Sequence, residues 1–208
     1  MLLRLMGALC ALVAAANPGL SAEKSDSVAL GHVVPLSNGP NSANLLGDAT
    51  KAEVFVSRRG NGNAHGFSTG AFYLFVKTQE HDDLPTWLLV PFFGGPDDSV
   101  SGREIFLTPE GASCTLRDIR LIESRGKPAT VVVGLRELGE TFADPAPVHF
   151  DYYHVVHDKE AAPGRPEYYL EHVKNITARQ SYCDVNIAFD RELGLGRHGL
   201  VASDQNGE

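Results

Sequence analysis

The chain has 208 residues, with 18 Lys and Arg against 26 Asp and Glu, a formal net charge of −8. That acidic excess excludes nucleic acid as a partner, because neutralising phosphates needs a basic face. It also disfavours adhesion to an anionic membrane.

The first 22 residues, MLLRLMGALCALVAAANPGLSA, place Arg4 ahead of an apolar run from Leu5 to Ala16, then Pro18 and small residues. Charged, apolar and small-residue regions in that order read as a secretory signal peptide, and the run is too short to span a bilayer. Cleavage after Ala16 or Ala22 fits; Ala22 is favoured because charged residues begin at Glu23. Cys10 lies inside the apolar run behind Leu9, so no lipid anchor is expected. No other segment approaches the roughly 18 apolar residues of a membrane span, and the mature protein is expected to be soluble, periplasmic or secreted. Losing Arg4 with the leader leaves 17 basic residues against 26 acidic ones, a net charge of −9. The expected organisation is a signal peptide (1–22), mobile ends (23–30 and 196–208) and one domain over 31–195.

Extended segments dominate that domain: EVFVSRR (53–59), GFSTGAFYLFVK (66–77), TWLLVPFF (86–93), REIFLT (103–108), CTLRDIRLIE (114–123), ATVVVGLR (129–136), 147–157 and 168–177. They are rich in β-branched and aromatic residues and separated by Gly, Pro, Asn and Asp. Gly60-Asn61-Gly62-Asn63 signals a hairpin between the first two. The pattern predicts an all-β fold, a sandwich or barrel of antiparallel strands. In VHFDYYHVV, alternation puts Val148, Phe150, Tyr152, His154 and Val156 on the expected core face. In LRDIRLI neither face is purely apolar, so that strand buries an ion pair or lies where sheets splay. One helix closes the domain, with Asp184 as N-cap, an apolar stripe of Val185, Ala188, Phe189 and Leu193, and Gly194 at its end.

Once Cys10 leaves with the leader, Cys114 and Cys183 remain. An even pair in an oxidising compartment is most simply a disulfide, with a reactive thiol or two metal ligands as alternatives. Closing a loop of about 70 residues contributes roughly 4 kcal/mol in the chain-entropy model.

Motifs for chemistry are weak. Eight histidines include no HExxH or HxH, and His149 and His157 lie about 26 Å apart along one strand at ~3.3 Å per residue. His149 and Asp151 are near enough to share an ion, but such pairs are common on solvated strand faces. Asp97-Asp98 and Asn41–Asp48 carry oxygen ligands without the order of a calcium loop. GFSTG (66–70) has the letters of GxSxG around Ser68, yet a strand-like AFYLFVK follows where an elbow needs a helix. The SxxK pairs at Ser21 and Ser124 lack their companion motifs, and Glu137 with Glu140 is no glycosidase dyad on spacing alone. Asn175-Ile176-Thr177 matches a glycosylation sequon. No enzyme activity and no cofactor are expected. The candidate ligand-binding residues are Asn63, His65, Arg136, Glu140 and Asp144, polar groups beside turns; a network ordering two loops explains them equally well.

NAHGFSTGAFYLF (63–75), LVPFF (89–93), GASCTLRDIRLI (111–122), ELGETFADPAPVHFDYY (137–153), PGRPEYYLE (163–171) and YCDVNIAFDRELGL (182–195) together resemble the CarG-like family of periplasmic carbapenem intrinsic resistance proteins. The resemblance implies stacked antiparallel sheets with short terminal helices, a homodimer, and an exported protein that protects against a carbapenem without hydrolysing it. It implies as partner a small-molecule antibiotic or a periplasmic protein. It also implies a fold shared with periplasmic inhibitors of invertebrate-type lysozyme, which act through an exposed loop. Where those inhibitors carry Ser and Tyr, SGREIF (101–106) has Glu104 and Phe106. The acidic loop of some relatives is here SNGPNSANLLGDATKA, with Asp48 as its one carboxylate.

Overall fold

The computed structural model describes residues 31–60, 66–77, 84–110, 114–160, 163–197 and 199–200. The expected leader, the segment 23–30, the turn at 61–63, and Asn63 and His65 lie outside them.

Eleven strands and one helix form three layers among the described residues. The first sheet has the order β1 (His32–Val34), β8 (Arg117–Ser124), β9 (Lys127–Arg136), β10 (Val148–His157), β11 (Tyr168–Thr177) and β6 (Phe92–Phe93). The second has β2 (Gly39–Ala43), β3 (Ala52–Gly60), β4 (Gly66–Lys77) and β5 (Pro85–Leu89). β7 (Phe106–Glu110) pairs with the first half of β4, whose second half pairs with β5. Pairing is antiparallel except between β11 and β6. The all-β sandwich read from the sequence is the architecture observed.

Between the sheets lies one core, including Val54, Val56, Phe72, Leu74, Phe92, Phe106, Ile119, Leu121, Val131, Val133, Val155 and Leu170. A second forms where α1 (Val185–Leu193) covers the outer face of the first sheet, joining Val132, Val148, Phe150 and Tyr152 to Val185, Ala188 and Phe189. The helix starts and stops as its sequence signals. The Asp184 carboxylate accepts from Asn186 N at 2.7 Å, and Gly194 takes φ 67° with its N–H returning to Asp190 O.

Because both faces of β10 are covered, its alternation reads differently from expectation. Tyr153 and Val155 face the inter-sheet core while Val148, Phe150 and Tyr152 face the helix. His154, expected on the core face, is exposed, since the helix-side core ends at Tyr152. Partial desolvation of the ring and the neighbouring Lys174 charge hold its imidazole below the usual histidine range.

TWLLVPFF is not one strand. β5 ends at Leu89 in the second sheet and β6 begins at Phe92 in the first, so the chain changes sheets at Val90-Pro91. Pro91 has no N–H to continue a ladder, and its carbonyl accepts from Leu170 N at 2.8 Å.

The mixed strand LRDIRLI buries an ion pair. Asp118 and Arg120 are both almost fully enclosed, with Arg120 Nη1 3.4 Å from Asp118 Oδ2. Arg120 also donates to Asn186 Oδ1 at 2.7 Å and Gly196 O at 3.0 Å, and lies over the Phe189 ring. Burial outweighs pairing on both groups, raising the Asp118 carboxyl and lowering the Arg120 guanidinium. Leu200 N donates to Asp118 Oδ1 at 2.9 Å and its side chain is buried. Packing therefore continues to Leu200, past the expected boundary at residue 195.

Cys114 and Cys183 form a disulfide with Cα atoms 5.6 Å apart. It ties the chain entering β8 to the turn before α1, where Val185 N also donates to Thr115 O at 2.9 Å.

Candidate functional site

At one end of the sandwich the chain leaves β6 and runs through GGPDDSVSGREI (94–105) before entering β7. This segment is a loop built around a buried carboxylate. Asp98 Oδ2 accepts from Gly95 N at 2.8 Å and from Tyr153 Oη at 3.3 Å; Oδ1 accepts from Arg103 Nε at 3.0 Å. No side-chain surface of Asp98 is exposed. Gly95 is required here, because a Cβ at that position would land on the Tyr153 hydroxyl.

Main-chain contacts close the loop further. Phe92 and Arg103 exchange N–H···O bonds at 2.9 Å each, Gly102 N donates to Ser99 O at 3.0 Å, and Ser99 Oγ donates to Gly102 O at 2.7 Å. The Arg103 guanidinium lies 4.7 Å from the Phe92 ring centroid. Beside it Arg117, from the start of β8, pairs with Asp97. Burial lowers the Arg117 guanidinium below the usual range, with Asp97 opposing. Tyr153 is pushed well above the usual phenol range by burial first and the Asp98 charge second. Deeper on the same face, Asp151 Oδ1 accepts from His172 Nε2 and Asn175 Nδ2, each at 2.8 Å.

The result is a rigid base with an apolar tip. Val100 is fully exposed and Ile105 about half exposed, on a loop anchored by the Asp98–Arg103 and Asp97–Arg117 pairs. A preordered loop of this kind would lose little conformational entropy on binding a partner. Phe106 is buried in the core, while Glu104 is exposed.

The sequence-derived candidates fall elsewhere. Arg136 ends β9, and Glu140 and Asp144 lie in the loop that leads from it to β10. Arg136 is buried, donating Nη1 to Asp144 O and Nη2 to Phe142 O, the latter at 3.0 Å. Asp144 Oδ2 accepts from Thr141 N at 2.6 Å. The guanidinium thus clips its own loop through main-chain carbonyls, and the Glu140 side chain points to solvent. His149 and Asp151 do not share a ligand: His149 contacts Glu137 at 2.6 Å and Thr177 at 3.1 Å, whereas Asp151 serves His172 and Asn175. Among the described residues no group of three or more His, Cys, Asp or Glu is placed to hold a metal ion. Ser68 is buried within β4, opposite Arg58 and Thr108, so no nucleophile elbow surrounds it. The sequon Asn175 spends its amide on buried Asp151.

No protein-family model matches the chain, and no curated protein matches it. A search of solved structures finds the crystal structure of CarG, with TM-score 0.62 and 20% identity, over 77% of this chain and 94% of that one. The chain has the CarG fold. At that identity the likeness to CarG is one of architecture, and what the 94–105 loop presents is argued from this chain's own residues.

The sequence reading missed the Asp98–Arg103 anchor. Asp97-Asp98 stood out as acidic, and its partners were legible in GGPDDSVSGR, where Gly and Pro mark a turn and an arginine follows five residues after Asp98.

Proposed function

We propose that this protein is an exported, non-enzymatic protective protein of the CarG type, acting in the periplasm. The observation that carries the proposal is the shared CarG fold, in agreement with the ordered sequence segments that resemble the carbapenem intrinsic resistance proteins. Export is supported by the leader read over residues 1–22 and by the Cys114–Cys183 bridge, which persists in an oxidising compartment. Among the described residues no helix is long and apolar enough to cross a membrane. A homodimer belongs to the same proposal. Its support is the outer face of the second sheet, which presents Phe55, Phe75, Trp87 and Leu107 to solvent while the matching face of the first sheet is covered by α1.

The test is deletion of the gene in its own bacterium, with carbapenem susceptibility measured beside the intact strain, and incubation of purified protein with the antibiotic. Increased susceptibility together with unaltered antibiotic supports the proposal. Unchanged susceptibility removes the resistance role, and antibiotic turnover removes the non-enzymatic one.

The alternative is inhibition of a lytic enzyme, and the observation favouring it is the 94–105 loop. Val100 and Ile105 stand out on a base fixed by Asp98, the form of a segment that plugs a cleft. Failure to slow an invertebrate-type lysozyme at micromolar protein would eliminate this reading.

A further inference from the structure

On the helix side of the first sheet, at the end of β11, a cleft of about 310 Å³ opens between strand and helix. Its lining includes Phe150, Ile176, Ala178, Arg179, Glu192 and Leu193. Phe150 is wholly buried, Ile176 is 38% exposed, and Ala178 and Leu193 pack against the helix-side core. These side chains offer a small apolar floor of the size that holds a compact organic ligand.

The polar groups of the cleft are arranged asymmetrically. The Glu192 carboxylate is recessed, its side chain 6% exposed, and accepts from Tyr182 Oη at 2.6 Å and Arg179 Nε at 2.9 Å. Both carboxylate oxygens are therefore occupied. Arg179 lines the cleft, is 80% exposed and pairs with Glu192 through Nε, which leaves its two Nη groups for a further acceptor. An arginine paired this way matches a carboxylate with two parallel N–H donors.

A second cation flanks the same floor. Phe150 stands opposite Ile176 and Tyr152 opposite Lys174, so Lys174 shares the face of Ile176. Two residues along a strand separate them by roughly 6–7 Å. Lys174 Nζ lies 4.3 Å from the Tyr152 ring centroid. In a chain with 26 acidic and 18 basic residues, two cations bracketing an apolar floor favour an anion.

We propose that the cleft between β11 and α1 binds a small amphiphilic carboxylate, its apolar body on Ile176, Ala178 and Leu193 and its carboxylate on Arg179. Lys174 adds long-range attraction on the open side. The site stands whether or not the protein confers resistance, because it is read on the purified chain alone.

The experiment is a two-dimensional NMR titration of the mature chain with benzoate, octanoate and 4-phenylbutyrate, each beside its neutral primary amide. Saturable shifts at Ile176, Ala178 and Leu193 are expected for at least one acid, with its amide bound about tenfold or more weakly, the worth of a charged hydrogen bond. Arg179→Gln, an exposed change that leaves Tyr182 on Glu192, should erase the difference between acid and amide. The absence of saturable shifts at the cleft for all three acids would overturn the proposal, as would equal binding of acid and amide. An acid preference that survives Arg179→Gln would overturn it as well.

Discussion

Asp98 and Arg103, five positions apart, meet at 3.0 Å, the carboxylate with no exposed side-chain surface and the guanidinium stacked on Phe92. Removing one partner of a buried pair leaves the other charge uncompensated, which costs more than the pair itself is worth. Asp98→Ala should destabilise the fold by about 3 kcal/mol in urea unfolding. Amide exchange should show the 95–103 segment opening first. A double-mutant cycle with Arg103→Met separates the coupling from the stranded charge, and a coupling near zero would refute the anchor.

Gly95→Ala probes the same loop from its backbone. The new Cβ meets Tyr153 Oη, so either the loop lifts or Tyr153 leaves its place against Asp98. A loss of about 2 kcal/mol is expected, within the range for overpacking. Tyr153→Phe in the alanine background removes the clashing hydroxyl and should restore part of that loss. If the phenylalanine deepens the defect, the close approach is not its cause.

The fold was legible wherever local pattern and tertiary packing agree. The long strands of β3, β4, β9, β10 and β11 and the capped helix announce themselves through β-branched runs and the Asp184 and Gly194 signals. β2 did not, because GPNSA has no strand-forming side chains. It is held instead by Asn41, whose side chain accepts from Ser37 N at 2.7 Å and donates to Val54 O at 3.1 Å. The break at Pro91 was legible in principle, since a proline rarely continues a central strand. Site residues were less accessible: Lys174, Arg179 and Glu192 become one group only when β11 and the end of α1 are brought together, and no spacing in the sequence reports that. Arg136 was conspicuous as a charged residue near a turn, but its partners are main-chain carbonyls, which sequence does not distinguish.

The Cys114–Cys183 bridge closes a loop of sequence separation 69 and fixes the helix entrance to β8. Paired Cys114→Ser and Cys183→Ser should lower stability by roughly 4 kcal/mol, less any strain relieved, as read by urea unfolding under non-reducing conditions. Thiol titration of the unfolded, unreduced mature chain should find neither cysteine free. A free thiol from either would remove the cross-link.

Phe55 is 47% exposed and Trp87 39%, on a sheet face with no covering layer among the described residues. If a second copy covers that face, Phe55→Glu with Trp87→Glu places like charges opposite one another and should yield a monomer by sedimentation equilibrium. Stability per monomer should change by less than about 0.5 kcal/mol at each exposed position. An unchanged association state would move the proposed dimer interface elsewhere.

Glu192 supplies a pH dependence with a definite sign. Burial alone would raise its carboxyl, but hydrogen bonds from Tyr182 and Arg179 prevail and hold it below the ordinary value of 4.5. A carboxyl depressed in the folded state contributes stability that is complete above the unfolded value and is lost as pH falls through the folded one. Glu192→Gln cannot lose that contribution, so its unfolding midpoint in urea should fall less steeply than the wild type's between about pH 5 and pH 2. Tyr182→Phe removes one of the two donors and should give an intermediate slope. Parallel slopes for wild type and Glu192→Gln would show that the carboxylate is not held in its ionised form by these partners.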